Sequence, residues 1–163
     1  MRIDVGIGEF KVSRNADDVI KTYGLGSCVA LVIWSDTHRH GGLIHVALPE
    51  AEVNPQKAVA MPGYFADTGI PTVIEYIDKL GDRARRSFTY RLYGGASILD
   101  ENKRFDIGRR NALAIKRLLW KYGCGVLKEE IGGNVSRTVT LSMADGSVDV
   151  KTGVRQGGNS DGR

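Results

Sequence analysis

Cysteine is scarce in this 163-residue chain, which has two, Cys28 and Cys124. Two thiols make no disulfide framework for a chain of this size, so both are expected reduced, in a cytoplasmic protein. Long hydrophobic runs are also lacking. No stretch approaches the roughly 18 apolar residues that a spanning helix needs. The opening M-R-I-D-V-G-I-G-E-F carries an acidic residue and no extended apolar segment of the kind a secretory leader has. The expectation is a protein neither exported nor membrane-inserted. Only three histidines occur, His38, His40 and His45, and no cluster of cysteines or carboxylates completes a ligand set around them. No metal is expected. Gly94-Gly95-Ala96-Ser97 and Gly132-Gly133-Asn134 lack the following Lys-Ser/Thr pair of a phosphate loop, and no other cofactor motif stands out. There is no internal repeat and no dividing linker.

What is present is a globular composition, 42% hydrophobic and 26% charged, in a length that suits one domain. Residues 1–152 are expected to form it, with 153–163 as a flexible glycine-rich tail. The net charge of +4 is concentrated in R-A-R-R (Arg83 to Arg86) and in the pairs Lys103-Arg104 and Arg109-Arg110. No zinc-finger or RNA-binding signature accompanies it, so these read as solvated faces rather than a nucleic-acid site. Such a surface would favour an acidic protein partner, chiefly through encounter rate.

Hydrophobic patterning predicts about eight strands and two or three helices. Strands are expected over Met1–Phe10, Val19–Thr22, Cys28–Trp34, Leu43–Leu48, Phe88–Tyr93, Val126–Ile131, Arg137–Met143 and Ser147–Lys151. The run C-V-A-L-V-I-W is nearly unbroken, as for a strand covered on both faces. Asp145-Gly146 reads as a hairpin turn. Residues 51–62 read as a polar loop. Pro71 fits the first turn of a helix ending at Gly81, with G-Y-F-A-D-T-G before it as an alternative earlier helical turn kinked by Pro71, and Asp106 is placed as the N-cap of a helix over Ile107–Tyr122. These elements suggest a single-domain α/β layered sandwich on mostly antiparallel sheets.

Cys28 follows G-L-G-S and opens the apolar strand; His45 lies inside the next one, between Ile44 and Val46. His38 and His40 fall in the intervening turn and are expected to be solvent-exposed. A thiol with an ordinary pKa of about 8.5 is only slightly ionised at neutral pH, and a neighbouring imidazole can activate it. If the hairpin loop is Asp36-Thr37, Cys28 and His45 are directly opposite. If it is Asp36 to Arg39, His45 faces Ala30 and lies diagonally from Cys28, on the same face, roughly 7–8 Å away at the backbone. A three-residue loop separates them onto opposite faces unless a bulge restores the phase. Gly24 and Gly26 allow a sharp turn whose N–H groups, around Gly26 and Ser27, could hold an oxyanion. Thr22 could fix the imidazole tautomer by accepting its N–H. The alternative is plain packing, since buried Cys and His are common in cores. Cys124, in K-Y-G-C-G, reads as structural.

The motifs L-G-S-C-V-A-L and G-G-L-I-H-V-A-L-P resemble paired core motifs of the CheD family, the chemoreceptor glutamine deamidases. The resemblance continues in Y-F-A-D-T-G-I-P (64–71), G-G-A-S (94–97), I-G-R-R-N (107–111) and G-G-N-V-S-R-T-V (132–139). Six motifs in family order span nearly the whole chain, whereas residues 98–105 are less similar. The resemblance implies an α/β sandwich and a cysteine–histidine–threonine set falling on Cys28, His45 and Thr22. It also implies deamidation of glutamines on methyl-accepting chemotaxis receptors through a cysteine thioester. A CheC phosphatase is implied as a second partner, and a role as a regulatory binding module for that phosphatase is the alternative reading.

Overall fold

The computed structural model describes residues 1–98 and 105–153; the expected tail from residue 154 on and most of the 98–105 stretch lie outside them. Among the described residues are nine strands: β1 Arg2–Asp4, β2 Phe10–Ser13, β3 Val19–Leu25, β4 Val29–Ser35, β5 His40–Val46, β6 Thr89–Gly94, β7 Lys128–Ile131, β8 Arg137–Ser142 and β9 Val148–Thr152. Four α-helices accompany them: α1 Pro55–Ala60, α2 Ala66–Asp78, α3 Ala84–Ser87 and α4 Ile107–Lys121.

The strands form a five-stranded sheet, β2-β5-β4-β6-β7, and a four-stranded sheet, β1-β3-β8-β9. Only β1–β3 and β6–β7 run parallel. The fold is the α/β layered sandwich anticipated from the patterning. Strand β4 explains the layering, because all seven of its residues are buried. Val29, Leu31 and Ile33 pack toward α2 and α4 with Ile70, Val73, Ile74, Ile115 and Leu119. Ala30, Val32 and Trp34 pack the other way, with Ile20, Leu25, Val139 and Leu141 of the four-stranded sheet. The sheet therefore has helices on one face and a second sheet on the other. Each fully buried Leu or Ile in these two cores contributes on the order of 1.5–3 kcal/mol.

Several elements depart from the sequence expectations. The first strand ends at Asp4, and a turn through Gly8 (φ 84°) separates it from β2. Residues 51–62 are not a plain loop: Ala51–Val53 is a 3-10 turn and α1 follows. Asn54 caps α1 by accepting from the Lys57 N–H at 3.1 Å, with Pro55 just inside. Only Ala58 of α1 is buried, so no apolar stripe announces the helix. Pro71 lies inside α2 and not in its first turn: the helix begins five residues earlier at Ala66, within the G-Y-F-A-D-T-G segment read as an alternative earlier turn. Buried Ile70, Val73, Ile74 and Ile77 hold that helix on the sheet despite the missing N–H. No helix among the described residues is long and apolar enough to cross a membrane.

Candidate active site

The β4–β5 hairpin takes the four-residue loop. Ser35 pairs with His40, and Ala30 pairs with His45. His45 thus alternates with Leu43 and points between the two sheets, while Cys28, just before β4, packs against that same inter-sheet cluster. The thiol and the imidazole are diagonal neighbours on one face. Both backbone groups of His45 are fixed from the sheet edge: its N–H donates to Glu9 O (3.1 Å) and its carbonyl accepts from Gly8 N–H (2.7 Å).

The third residue arrives from the opposing sheet. Thr22 of β3 is fully buried, and its hydroxyl donates to the Val5 carbonyl at 2.7 Å. Its oxygen also lies 2.7 Å from His45 Nδ1. A hydroxyl has one proton, and a carbonyl can only accept. The Thr22 oxygen must therefore accept from Nδ1–H, which fixes the neutral tautomer and leaves the lone pair on Nε2. Nε2 is buried and has no hydrogen-bond partner among the described residues. A β-bulge between Thr22 and Leu25 keeps both residues inward and sends the chain to Gly26–Cys28. Gly24, at φ 62°, supplies the left-handed residue of that turn, whereas Gly26 does not have a positive φ.

Ser27 is exposed and Cys28 is half-buried. Burial pushes the Cys28 thiol above its ordinary range, its own backbone N–H acting weakly against that. Burial also pulls His45 down to about 4. At neutral pH the resting pair is thiol and neutral imidazole, not a standing ion pair. Among the described residues the N–H groups of Gly26, Ser27 and Cys28 donate to no protein acceptor.

Two neighbours escaped the sequence reading. Asn111 of α4 is fully buried, and its amide donates to both Ser27 O (3.0 Å) and Ala47 O (2.9 Å). It ties the segment before Cys28 to the segment after His45. A lone Asn on the apolar face of α4 was the available signal. Arg137 opens β8, is 9% exposed, and donates to the Gly94 carbonyl at 3.1 Å. Gly94 (φ 115°) can have no side chain, since a Cβ there would lie 2.3 Å from the Cys28 carbonyl oxygen.

The other candidates fall elsewhere. His40 is not exposed as expected but 2% exposed, on the helix-facing side of β5, hydrogen-bonded through Nε2 to the Tyr76 hydroxyl. His38 is half-buried, with Nδ1 near the hydroxyls of Ser35 and Ser87 at 3.1 and 3.0 Å. The three histidines do not converge. Cys124 is buried in the helix-side core.

A two-sheet α/β domain with Cys28 on the same inter-sheet face as the hydrogen-bonded His45 and Thr22 defines the class, a candidate thiol-dependent acyl-transfer site. Residues 47–152 match the family model described as CheD chemotactic sensory transduction. Among curated relatives, a probable chemoreceptor glutamine deamidase CheD of Syntrophotalea carbinolica is 44% identical over 90% of this chain and 91% of its own. The protein of that name from Methanococcus maripaludis is 39% identical over 94% and 96%. A probable chemoreceptor glutamine deamidase CheD 1 of Syntrophus aciditrophicus is 40% identical over 91% and 92%. The chain belongs to the CheD family.

Proposed function

We propose that this chain is a protein-glutamine deamidase acting on methyl-accepting chemotaxis receptors in the cytoplasm, with Cys28 as nucleophile, His45 as general base and acid, and Thr22 as its orienter. The observation that carries the reading is the Val5–Thr22–His45 hydrogen-bond chain, which leaves Nε2 free on the face shared with Cys28. Support for the substrate class comes from relatives named for that activity.

His45 Nε2 takes the Cys28 proton as the sulfur attacks the side-chain carboxamide carbon of a receptor glutamine. Separately, a buried thiolate and a buried imidazolium are both disfavoured here. Formed together at close range they stabilise each other, so proton transfer and attack are coupled. The carbonyl π pair moves onto oxygen, where the N–H groups of Gly26, Ser27 and Cys28 can receive it. Collapse breaks the C–N bond, His45 protonates the departing ammonia, and a thioester remains. Water, deprotonated by the same imidazole, attacks the thioester; sulfur leaves and glutamate is released.

The test is the mass of a receptor cytoplasmic fragment after incubation. Each converted glutamine gains about one dalton, since NH₂ is replaced by OH, and a trapped acyl-enzyme would show directly. Cys28→Ala is expected to abolish the gain. No gain with the wild-type protein on any cognate receptor would overturn the reading. A CheC phosphatase is the second partner in this proposal. Its retention by Cys28→Ala in a pull-down would separate binding from catalysis.

A further inference from the structure

Among the described residues Arg137 is the most buried of the arginines in the sheets and makes no ion pair. Its residue pairs with Leu25 across β3 and β8, in phase with Val139 and Leu141, so its side chain enters the space between the sheets. There Nη1 donates to the Gly94 carbonyl, and no carboxylate lies within 4.0 Å among the described residues. Arg85 makes the contrast: it is about a third exposed and grips Asp78 with two 2.8 Å bonds. Burying a guanidinium without a partner is costly, and the cost falls when an anion arrives. None of the remaining N–H groups of Arg137 is a buried orphan among the described residues.

Position says where that anion would sit. Gly94 lies opposite Val29, and Gly95 N–H donates to the Cys28 carbonyl at 2.9 Å. The cation is therefore anchored on the residue that abuts Cys28, on the inter-sheet face that the thiol and His45 share. We propose that Arg137 forms an anion subsite beside Cys28 and receives the carboxamide oxygen of the substrate as it becomes an oxyanion. The inference rests on Cys28 being the nucleophile. When sulfur adds to the carboxamide carbon, the C=O π pair becomes a lone pair on oxygen, and Arg137 donates to it without giving up a proton. When the tetrahedral adduct collapses, that pair re-forms the carbonyl and ammonia departs with the proton held by His45. Hydrolysis repeats the cycle, with sulfur leaving. A carboxylate elsewhere on the substrate has the same chemistry and is the competing source of the anion.

The test needs no receptor in its first arm. In a Cys124→Ala background, Cys28 is alkylated with iodoacetate, an anion, and iodoacetamide, its neutral counterpart. The ratio of the two rates cancels changes in thiol reactivity. Arg137→Gln is expected to lower the iodoacetate-to-iodoacetamide ratio about tenfold. Arg137→Lys keeps most of the preference, and Arg83→Gln, which removes the same charge at a remote exposed position, leaves it unchanged. An equal ratio in wild type and Arg137→Gln overturns the subsite. If Arg137→Gln does not fold, the wild-type ratio decides: it must fall with rising ionic strength, and a flat response overturns the subsite. The second arm is deamidation. A kcat lowered on the order of a hundredfold at unchanged KM supports the oxyanion assignment. A raised KM at unchanged kcat overturns it in favour of a substrate carboxylate. A wild-type protein inactive on receptors would sink the proposed function, while the alkylation ratio would still decide the anion subsite.

Discussion

His40 and His45 stand on one strand, five residues apart and each 2% exposed, yet they belong to different chemistries. Odd spacing on a strand sends them to opposite faces. His40 meets Tyr76 and Phe88 on the helix side, and its Nε2 is engaged by a phenol. His45 meets Thr22 on the inter-sheet side, and its Nε2 has no hydrogen-bond partner among the described residues. Burial lowers the pKa of both, with Arg14 and His38 adding to the effect at His40. Burial alone therefore does not distinguish a core histidine from a reactive one. What distinguishes them is which ring nitrogen is already engaged, and what the free one faces.

The sharpest way to break the comparison is to remove each imidazole in turn. His45→Gln, like Cys28→Ala, should cut receptor deamidation by a factor on the order of a thousand or more, because the general base and the nucleophile are lost. His40→Gln should leave turnover near wild type while lowering stability by about 1–2 kcal/mol, since it loses the Tyr76 bond. Chemical denaturation alongside ammonia release reads both. Comparable loss of activity in the two variants would erase the distinction.

Acid separates the same pair more finely. His45 titrates near 4 when folded and near 6.5 when unfolded, so the native state favours its neutral form. Between these values the unfolded chain binds more protons, and stability rises with pH. The contribution is complete above about 6.5 and is lost as pH falls toward 4, by about 3 kcal/mol in all. Unfolding free energies measured across that window should show the slope, and His45→Gln should flatten part of it. The remainder belongs in part to His40, whose shift has the same direction. Catalysis should follow the same group: the acid limb of kcat/KM should lie well below 6.5. A limb at 6.5 or higher would mean that burial does not depress the imidazole, which would then have to lose its proton in the ordinary range before it could act as base.

Thr22→Val keeps the shape and takes away the acceptor for Nδ1–H. It should lower kcat roughly tenfold to a hundredfold with little change in KM, and Thr22→Ser should restore most of it. A neutral orienter stabilises the imidazolium less than a carboxylate would, which keeps this effect below the loss seen with His45→Gln. An unchanged kcat in Thr22→Val would reduce the residue to a packing role.

How much of this was readable beforehand follows from what each signal depends on. The diagonal relation of Cys28 and His45 was accessible because antiparallel pairing is periodic, leaving only loop length open; the four-residue turn closed it. Burial of His40 was not accessible. Its turn-like neighbours D-T-H-R-H-G-G suggest solvent, but the hairpin starts pairing at His40 itself and Tyr76 from a distant helix covers it. Helix α1 was invisible because a six-residue helix with one buried side chain carries no period. Pro71 left two helix starts open, because a proline favours first turns, and the packing of Ile70, Val73 and Ile74 carries the helix through it from Ala66. Asn111 and Arg137 act through partners 43 to 84 positions away, which no local pattern announces: Asn111 bonds Ser27 and Ala47, and Arg137 bonds Gly94. Only the assembled fold brings those groups together.

The two cysteines give the smallest and most discriminating contrast. Cys124 follows α4, lies 4% exposed in the helix-side core, and its Sγ sits 3.8 Å from the Tyr122 carbonyl. No imidazole pairs with it among the described residues, and Tyr90 and Arg85 lie close enough to interact with it. Cys124→Ala removes one buried sulfur and should cost about 1 kcal/mol of stability. It should leave deamidation and the alkylation rate of Cys28 unchanged. Because Cys124 is the more buried thiol, a role for it in turnover would require the helix-side core to open, which a loss of activity in Cys124→Ala at full structural integrity would demonstrate. Retained activity instead assigns the reactive sulfur to the inter-sheet face, where an oriented imidazole is present, and leaves the other thiol as a small apolar group filling space beneath a helix end.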